Sequence, residues 1–313
     1  MTEPLHNLNL AQGFETVIGQ TQAVDLLTQA IARDRLAPAY LFVGAEGVGR
    51  SLTARCFTKI LMAHSPKIDH GNHPDLLWVS PTFLYQGKLY TAQEAEEANL
   101  KRKSAPQIRM EQVRQIITFL QKPPLEAPRS IVVVEGAETM AEQPANALLK
   151  TLEEPGRATI ILLAPSTDGV IPTIVSRCQK IPFHRLGAAE LIQVLQTHGY
   201  GSILDDRVIL AIAQGSPGLA IDCDQQLQAL PPDLLPQLTT RQFRPLQALK
   251  LAQTITKTLD TNTQLWLVDY LQHWYWEHQR DPQLIQRWDQ AKQQLSRYVQ
   301  PRLVWECLLL RMG

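Results

Sequence analysis

The first half of the chain alternates short apolar runs with segments of helical periodicity. Ala39–Val43 (AYLFV) predicts a buried strand, followed by a glycine-rich turn and the helix-like SLTARCFTKILMA. Ile131–Val134 (IVVV) predicts a second buried strand. After it, Ala145, Leu148, Leu149 and Leu152 fall on one face of a helix. Ile160–Leu163 (IILL) predicts a third strand. Strands that alternate with helices imply βαβ units and a parallel α/β sheet, and strands this apolar require helices on both faces.

The rhythm breaks between Thr82 and Pro106, where Glu, Lys, Ala and Gln dominate and Leu100 is the one large apolar residue after Tyr90. This stretch reads as an exposed, mobile insertion. From Gly187 strand signals fade. Residues 188–222 read as two or three short helices around the turn Gly215–Gly218 (GSPG), and Pro231–Pro232 marks a boundary. The remainder is helical. Leu267, Tyr270, Leu271, Trp274 and Tyr275 share one face, and Leu284, Trp288, Ala291, Leu295 and Tyr298 share another.

With 313 residues the chain calls for two or three domains, and 44% hydrophobic residues suffice for a sizeable core. A formal net charge of zero argues against a simple basic nucleic-acid glove. Cys56, Cys178, Cys223 and Cys307 lie far apart, which disfavours a disulfide framework or zinc ribbon and fits a reducing cytoplasm. No stretch approaches the roughly 18 apolar residues of a membrane span, and the N-terminus has no basic start followed by an apolar run. A cytoplasmic chain with no membrane partner is expected.

Gly44-Ala45-Glu46-Gly47-Val48-Gly49-Arg50-Ser51 follows a strand and opens a helix. It fits the phosphate-loop pattern G-x-x-x-x-G-K-[ST], with Arg50 where lysine is expected. The glycines let backbone N–H groups turn toward phosphate, and the Ser51 hydroxyl suits Mg²⁺. Arginine offers a bulkier planar fork in place of a point charge. Taken alone, the loop is compatible with bound nucleotide or with a loop that keeps its shape unliganded. The second strand runs into Glu135-Gly136-Ala137-Glu138. Glu135 puts a carboxylate at the metal position, one methylene longer than aspartate. Gly136 puts nothing where a water-activating glutamate is needed. Glu138 reads as a surface residue at a helix start.

The segments FETVIGQ (Phe14–Gln20), the phosphate loop, HPD (His73–Asp75), NALLKTLEEP (Asn146–Pro155), PTIVSRC (Pro172–Cys178) and QPRLVWECLLLRM follow one another in this order. Together they resemble bacterial DNA polymerase III clamp-loader subunits of the AAA+ superfamily, the delta-prime type more than the ATP-hydrolysing gamma/tau type. The resemblance implies an AAA+ (P-loop) parallel-sheet domain over 1–186, a small helical lid over 187–228 and an all-helical collar over 229–313 that joins subunits into a ring. It implies delta and gamma/tau subunits as partners, and through them the sliding clamp and primed DNA. It makes Arg177 of the SRC triplet a finger directed at ATP on a neighbouring subunit. It casts Gly44, Gly47, Gly49, Arg50, Ser51 and Glu135 as a degenerate nucleotide site, where ATP and magnesium could bind but are not required. Leu163-Ala164-Pro165-Ser166 and Gly215-Ser216-Pro217-Gly218 depart from the family's polar sensor and lid arginine.

Arg109 and Arg114, on QIRMEQVRQIITFL, are candidates for DNA phosphate contact; the plainer alternative is a solvated helix face. The family often carries a four-cysteine zinc module before HPD. Here that region holds His64, Asp69, His70 and His73 without cysteine, so no structural zinc is expected. The five tryptophans after residue 260 read as helical core and oligomer interface, because they recur at helical spacing without interleaved basic residues.

Overall fold

The computed structural model of the chain describes residues 12–98, 100, 105–240, 244–297 and 299–312. It divides into two compact units, one ending at Glu190 and the next beginning at Leu191.

In the first unit, α1 (Thr21–Ala32), β1 (Ala39–Val43) and α2 (Arg50–Leu61) are followed by β2 (Leu76–Val79). Then come β3 (Phe83–Tyr85), β4 (Lys88–Tyr90), α3 (Ala92–Glu97), α4 (Met110–Leu120), β5 (Ser130–Val134) and α5 (Glu142–Glu153). β6 (Ala158–Ala164), α6 (Pro172–Val175) and β7 (Gln179–Pro182) complete it, and α7 (Ala188–Thr197) begins at its end. Five strands form a sheet in the order β2-β5-β6-β1-β7, every pairing parallel. Side-chain alternation sorts the strands' residues onto two faces. Tyr40, Phe42, Ile131, Val133, Ile161 and Leu163 pack with Leu27 of α1 and Phe57 of α2. Leu41, Val132, Val134, Ile160 and Leu162 pack with Ile116 of α4 and Leu148 of α5. The expected parallel sheet with helices on both faces is thus present.

Two further strands complete the sheet, the apolar LLWV of β2 and the largely polar QKIP of β7. Both are edges. β2 is only half buried along most of its length, and β7 buries Ile181 alone. An edge strand is covered less completely, so polar residues and a terminal proline are tolerated there. β2 owes its position to the HPD segment. The Asp75 carboxylate, 2% exposed, accepts backbone N–H bonds from Leu125, Glu126 and Ala127, each at 2.7 Å. Asp75 N–H donates to His73 Nδ1 at 3.1 Å.

The stretch after Thr82, expected to be an exposed, mobile insertion, carries regular structure. β3 and β4 form an antiparallel hairpin with Phe83 opposite Tyr90. Its two-residue turn, Gln86-Gly87, has positive φ at both positions, the geometry that matches strand twist. Thr91 and Glu94 cap α3 reciprocally, Thr91 N–H to Glu94 Oε2 at 2.8 Å and Glu94 N–H to Thr91 Oγ1 at 3.3 Å. A bridge between Thr82 and Gln107 closes the excursion. Asn99 and residues 101–104 lie outside the described residues.

The second unit contains α8 (Arg207–Ala213), α9 (Pro217–Ala229), α10 (Leu234–Leu238), α11 (Pro245–Thr258), α12 (Thr261–Gln279), α13 (Pro282–Ser296) and α14 (Pro301–Leu310). The GSPG turn ends in an N-cap: Ser216 Oγ accepts from Leu219 N–H at 3.3 Å, and Pro217 starts α9. Pro231 and Pro232 separate α9 from α10. Leu267, Tyr270, Leu271 and Tyr275 are buried on α12, while Trp274 is half buried. On α13, Leu284, Trp288, Ala291 and Leu295 are buried; Tyr298 lies outside the described residues. Tyr275 stacks on Trp288, which meets Trp305 edge-on. The Trp305 indole N–H donates to Gln264 Oε1 at 2.9 Å. Trp288 and Trp305 are fully enclosed and hold the bundle together, whereas Trp276 is 47% exposed. No helix among the described residues is long and apolar enough to cross a membrane.

Candidate functional site

The phosphate-loop sequence occupies the turn between β1 and α2, at the carboxyl end of the sheet beside the point where strand order reverses. Gly47 and Gly49 both have positive φ there. Gly44 sits so close to β7's exit that a Cβ would lie 2.5 Å from the Phe183 carbonyl oxygen. The buried Gln20 side chain pins the loop: Nε2 donates to the carbonyls of Val48 (3.0 Å) and His184 (2.7 Å), and Oε1 accepts from His184 N–H at 3.0 Å.

Gly47, Gly49, Arg50, Ser51, Glu135 and Gly136 line one pocket of about 530 Å³. The two candidate metal positions meet directly. Ser51 Oγ donates to Glu135 Oε1 at 3.0 Å, and Ser80 Oγ donates to Oε2 of the same carboxylate at 2.9 Å. Pro165, just past β6, also lines the pocket.

Glu138 corrects its sequence reading as a surface residue. Gly136, at φ +61°, folds the chain into a short 3₁₀ turn over Ala137–Thr139, which brings Glu138 into the same pocket. Its Oε2 is enclosed without a hydrogen-bond partner among the described residues. Burial pushes its carboxyl above the ordinary glutamate value, against the pull of its own backbone N–H and of Arg50. Burial likewise lowers the pKa of the Arg50 guanidinium, opposed by the charges of Glu138, Glu46 and Glu135. Ser51 and Glu135 are oxygen donors of the kind Mg²⁺ takes.

Gly136 provides no base, and the backbone leaves no room for one. A Cβ there would approach Pro81 Cγ to 2.6 Å, in a left-handed conformation that side chains disfavour.

Arg177 is not among the residues lining this pocket. It follows α6, and its Nε donates to Glu153 Oε1 at 2.6 Å. Arg109 immediately precedes α4, half buried, with its Nε enclosed and unpaired among the described residues. Arg114 is exposed on the same helix, near Glu111 and Lys122. His73 is buried beside Asp75, while His64 and His70 are exposed. Among the described residues, no group of three or more His, Cys, Asp or Glu side chains is arranged to hold a metal.

A parallel sheet of this order, with a glycine loop after β1 and an acidic residue after β5, two strands away, defines a P-loop domain of the AAA+ class. A solved gamma-subunit-related DNA polymerase III protein of Thermotoga maritima shares the fold. Its TM-score is 0.55 at 16% identity, over 93% of this chain and 98% of that one. The sequence profile described as "DNA polymerase III, delta subunit" matches residues 19–187. That described as "Cyanobacterial DNA polymerase III delta prime, C-terminal domain" matches residues 189–312. The chain therefore belongs to the DNA polymerase III clamp-loader subunit family, in its delta-prime branch. Among similar proteins, the delta-prime subunit of Bacillus subtilis is 31% identical over 180 residues, 53% of this chain and 48% of that protein. The delta-prime subunit of Pseudomonas aeruginosa is 29% identical over 211 residues, 61% of this chain and 57% of that protein. The B. subtilis tau subunit is 26% identical over 61% of this chain. The chain thus spans about half the length of the delta-prime relatives it matches.

Proposed function

We propose that the chain is a stator-like clamp-loader subunit that does not hydrolyse ATP itself. In this reading it assembles with delta and gamma/tau subunits in the cytoplasm and helps load a sliding clamp on primed DNA. Its Arg177 reaches ATP held by a neighbour. The domain division follows the same reading: an AAA+ domain over 1–186, a lid over 187–228 and a collar over 229–313 that carries the oligomer contacts. The observation that carries the proposal is Gly136. A hydrolytic site needs a carboxylate there to orient water, and this backbone, with Pro81 against it, holds none. Arg50 and Pro165 point the same way, which disfavours the gamma/tau alternative. Arginine suits the role in trans because its planar fork spreads positive charge over a developing phosphoryl transition state. Such fingers are worth about 10³–10⁵ in rate.

The test has two arms. The purified chain should show no turnover approaching the roughly 1–100 s⁻¹ of ordinary phosphoryl-transfer enzymes. In the reconstituted complex, Arg177→Ala should leave assembly intact while DNA-stimulated hydrolysis and clamp loading fall. The fall should be partial, because one site faces this subunit. Wild-type loading by that variant complex would end the in-trans role.

A further inference from the structure

Arg177 is held in a specific grip. It follows α6, which is anchored by Ile174 at 0% exposure, and its partner Glu153 closes α5, anchored by Leu152. Nε donates to Glu153 Oε1 at 2.6 Å, and Nη2 lies 2.5 Å from the same oxygen. Nη1 donates to the Thr173 carbonyl at 3.1 Å, with Ser176 Oγ at 3.5 Å.

A guanidinium carries five N–H bonds in a fixed plane. The carboxylate takes the edge formed by Nε and Nη2, and the Thr173 carbonyl takes one N–H of Nη1. One N–H of Nη2 is left over, and the second N–H of Nη1 is held only by the long 3.5 Å contact to Ser176 Oγ. Two terminal N–H bonds of this kind are what bidentate recognition of a phosphate uses. The Arg177 side chain is 36% exposed, so the residue has access to solvent.

We propose that Glu153 is a positioning residue for Arg177. It grips the inner edge of the guanidinium and sets the direction in which the outer edge faces. This inference rests on the in-trans reading of Arg177 given above. Orientation is the argument for it: an arginine side chain has many rotamers, and a misplaced reacting contact is costly in rate. The opposing effect is also real, because the Glu153 charge offsets part of the guanidinium's attraction for phosphate. If that effect dominated, Glu153 would be a competitor for the finger, and its removal would speed the reaction. The two roles predict opposite signs.

The experiment uses the reconstituted clamp-loader complex, with DNA-stimulated ATP turnover and assembly measured together. Glu153→Ala should assemble normally and lose turnover in kcat, approaching the loss seen with Arg177→Ala. Glu153→Gln, which keeps an acceptor oxygen at the same reach, should recover part of the rate. In the Arg177→Ala background, Glu153→Ala should cause no further loss. Turnover at or above wild type in Glu153→Ala overturns the inference while leaving the finger intact, provided Arg177→Ala is impaired. An equal loss from Glu153→Ala with and without Arg177 also overturns it, since the glutamate would then act by another route. If Arg177→Ala alone turns over at the wild-type rate, the failure lies with the in-trans reading itself.

Discussion

Ser51 Oγ donates to Glu135 Oε1 at 3.0 Å, so the phosphate-loop serine and the acidic residue after β5 are hydrogen-bonded to each other. The second oxygen of Glu135 is taken by Ser80 at 2.9 Å. The carboxylate that would serve a metal is thereby committed to two hydroxyls of its own chain.

Restoring the usual residues should not restore hydrolysis. The double change Arg50→Lys with Gly136→Glu places a side chain at φ +61° with its Cβ 2.6 Å from Pro81 Cγ. The left-handed backbone costs roughly 1–2 kcal/mol, and the forced overlap adds about 1–3 kcal/mol unless Pro81 moves. A lower denaturant midpoint and no ATP turnover are expected. Adding Pro81→Ala should recover much of the stability, which locates the cost in that contact.

Glu138 should make stability depend on pH. Its folded-state pKa is raised above the ordinary value of 4.5, mainly by burial. Its stabilising contribution is therefore fully present below that ordinary value and is lost as pH rises through the folded value. Glu138→Gln removes the titration. Urea midpoints of the two proteins should diverge with rising pH, the wild type losing ground to the variant across that window.

Asp75 has the opposite sign. Burial alone would raise its carboxyl, but the backbone bonds from Ala127, Leu125 and Glu126 outweigh it and hold the pKa below the ordinary value of 3.8. That stability is present above the ordinary value and is lost as pH falls through the folded one. Asp75→Asn turns an amide N–H toward backbone donors and should cost on the order of 1–3 kcal/mol at neutral pH. Its deficit against the wild type should shrink in acid, as measured by thermal or urea unfolding.

The tryptophans of the second unit should separate into two kinds. Trp305→Ala empties a core site and strands the buried Gln264, so a loss of about 3–5 kcal/mol is expected. Trp276→Ala, at a half-exposed position, should change stability by no more than ~0.5 kcal/mol. If the collar is the oligomer interface, the second variant weakens assembly with the partner subunits while folding normally; native mass measurement of the complex reads both.

The sequence disclosed what local pattern encodes. AYLFV, IVVV and IILL are central strands whose both faces are covered, so every residue is apolar and the run is visible. QKIP is an edge whose Gln179 and Lys180 hide the pattern; LLWV, the other edge, is apolar throughout and its run is as legible as those of the central strands. The 83–90 hairpin was hidden because Gln86-Gly87 is not the Asn-Gly or Asp-Gly pair that usually announces such a turn. Glu138 was misplaced for a different reason. Its direction depends on one left-handed residue, Gly136, and nothing in the composition of EGAE specifies that torsion. The partner of Arg177 lies 24 residues away at the end of α5, a relation that periodicity cannot carry. The place of the phosphate-loop sequence between a strand and a helix, by contrast, was legible, since its glycines and the strand before it are contiguous.

Gln20 joins the carbonyls of Val48 and His184 through one amide group. The phosphate loop and the segment after β7 consequently share one buried anchor. Loss of the Gln20 side chain would free both together, so the two segments are expected to open as one unit in native-state hydrogen exchange. Amides of the loop should exchange on the schedule of the sheet, far more slowly than those of an ordinary surface turn.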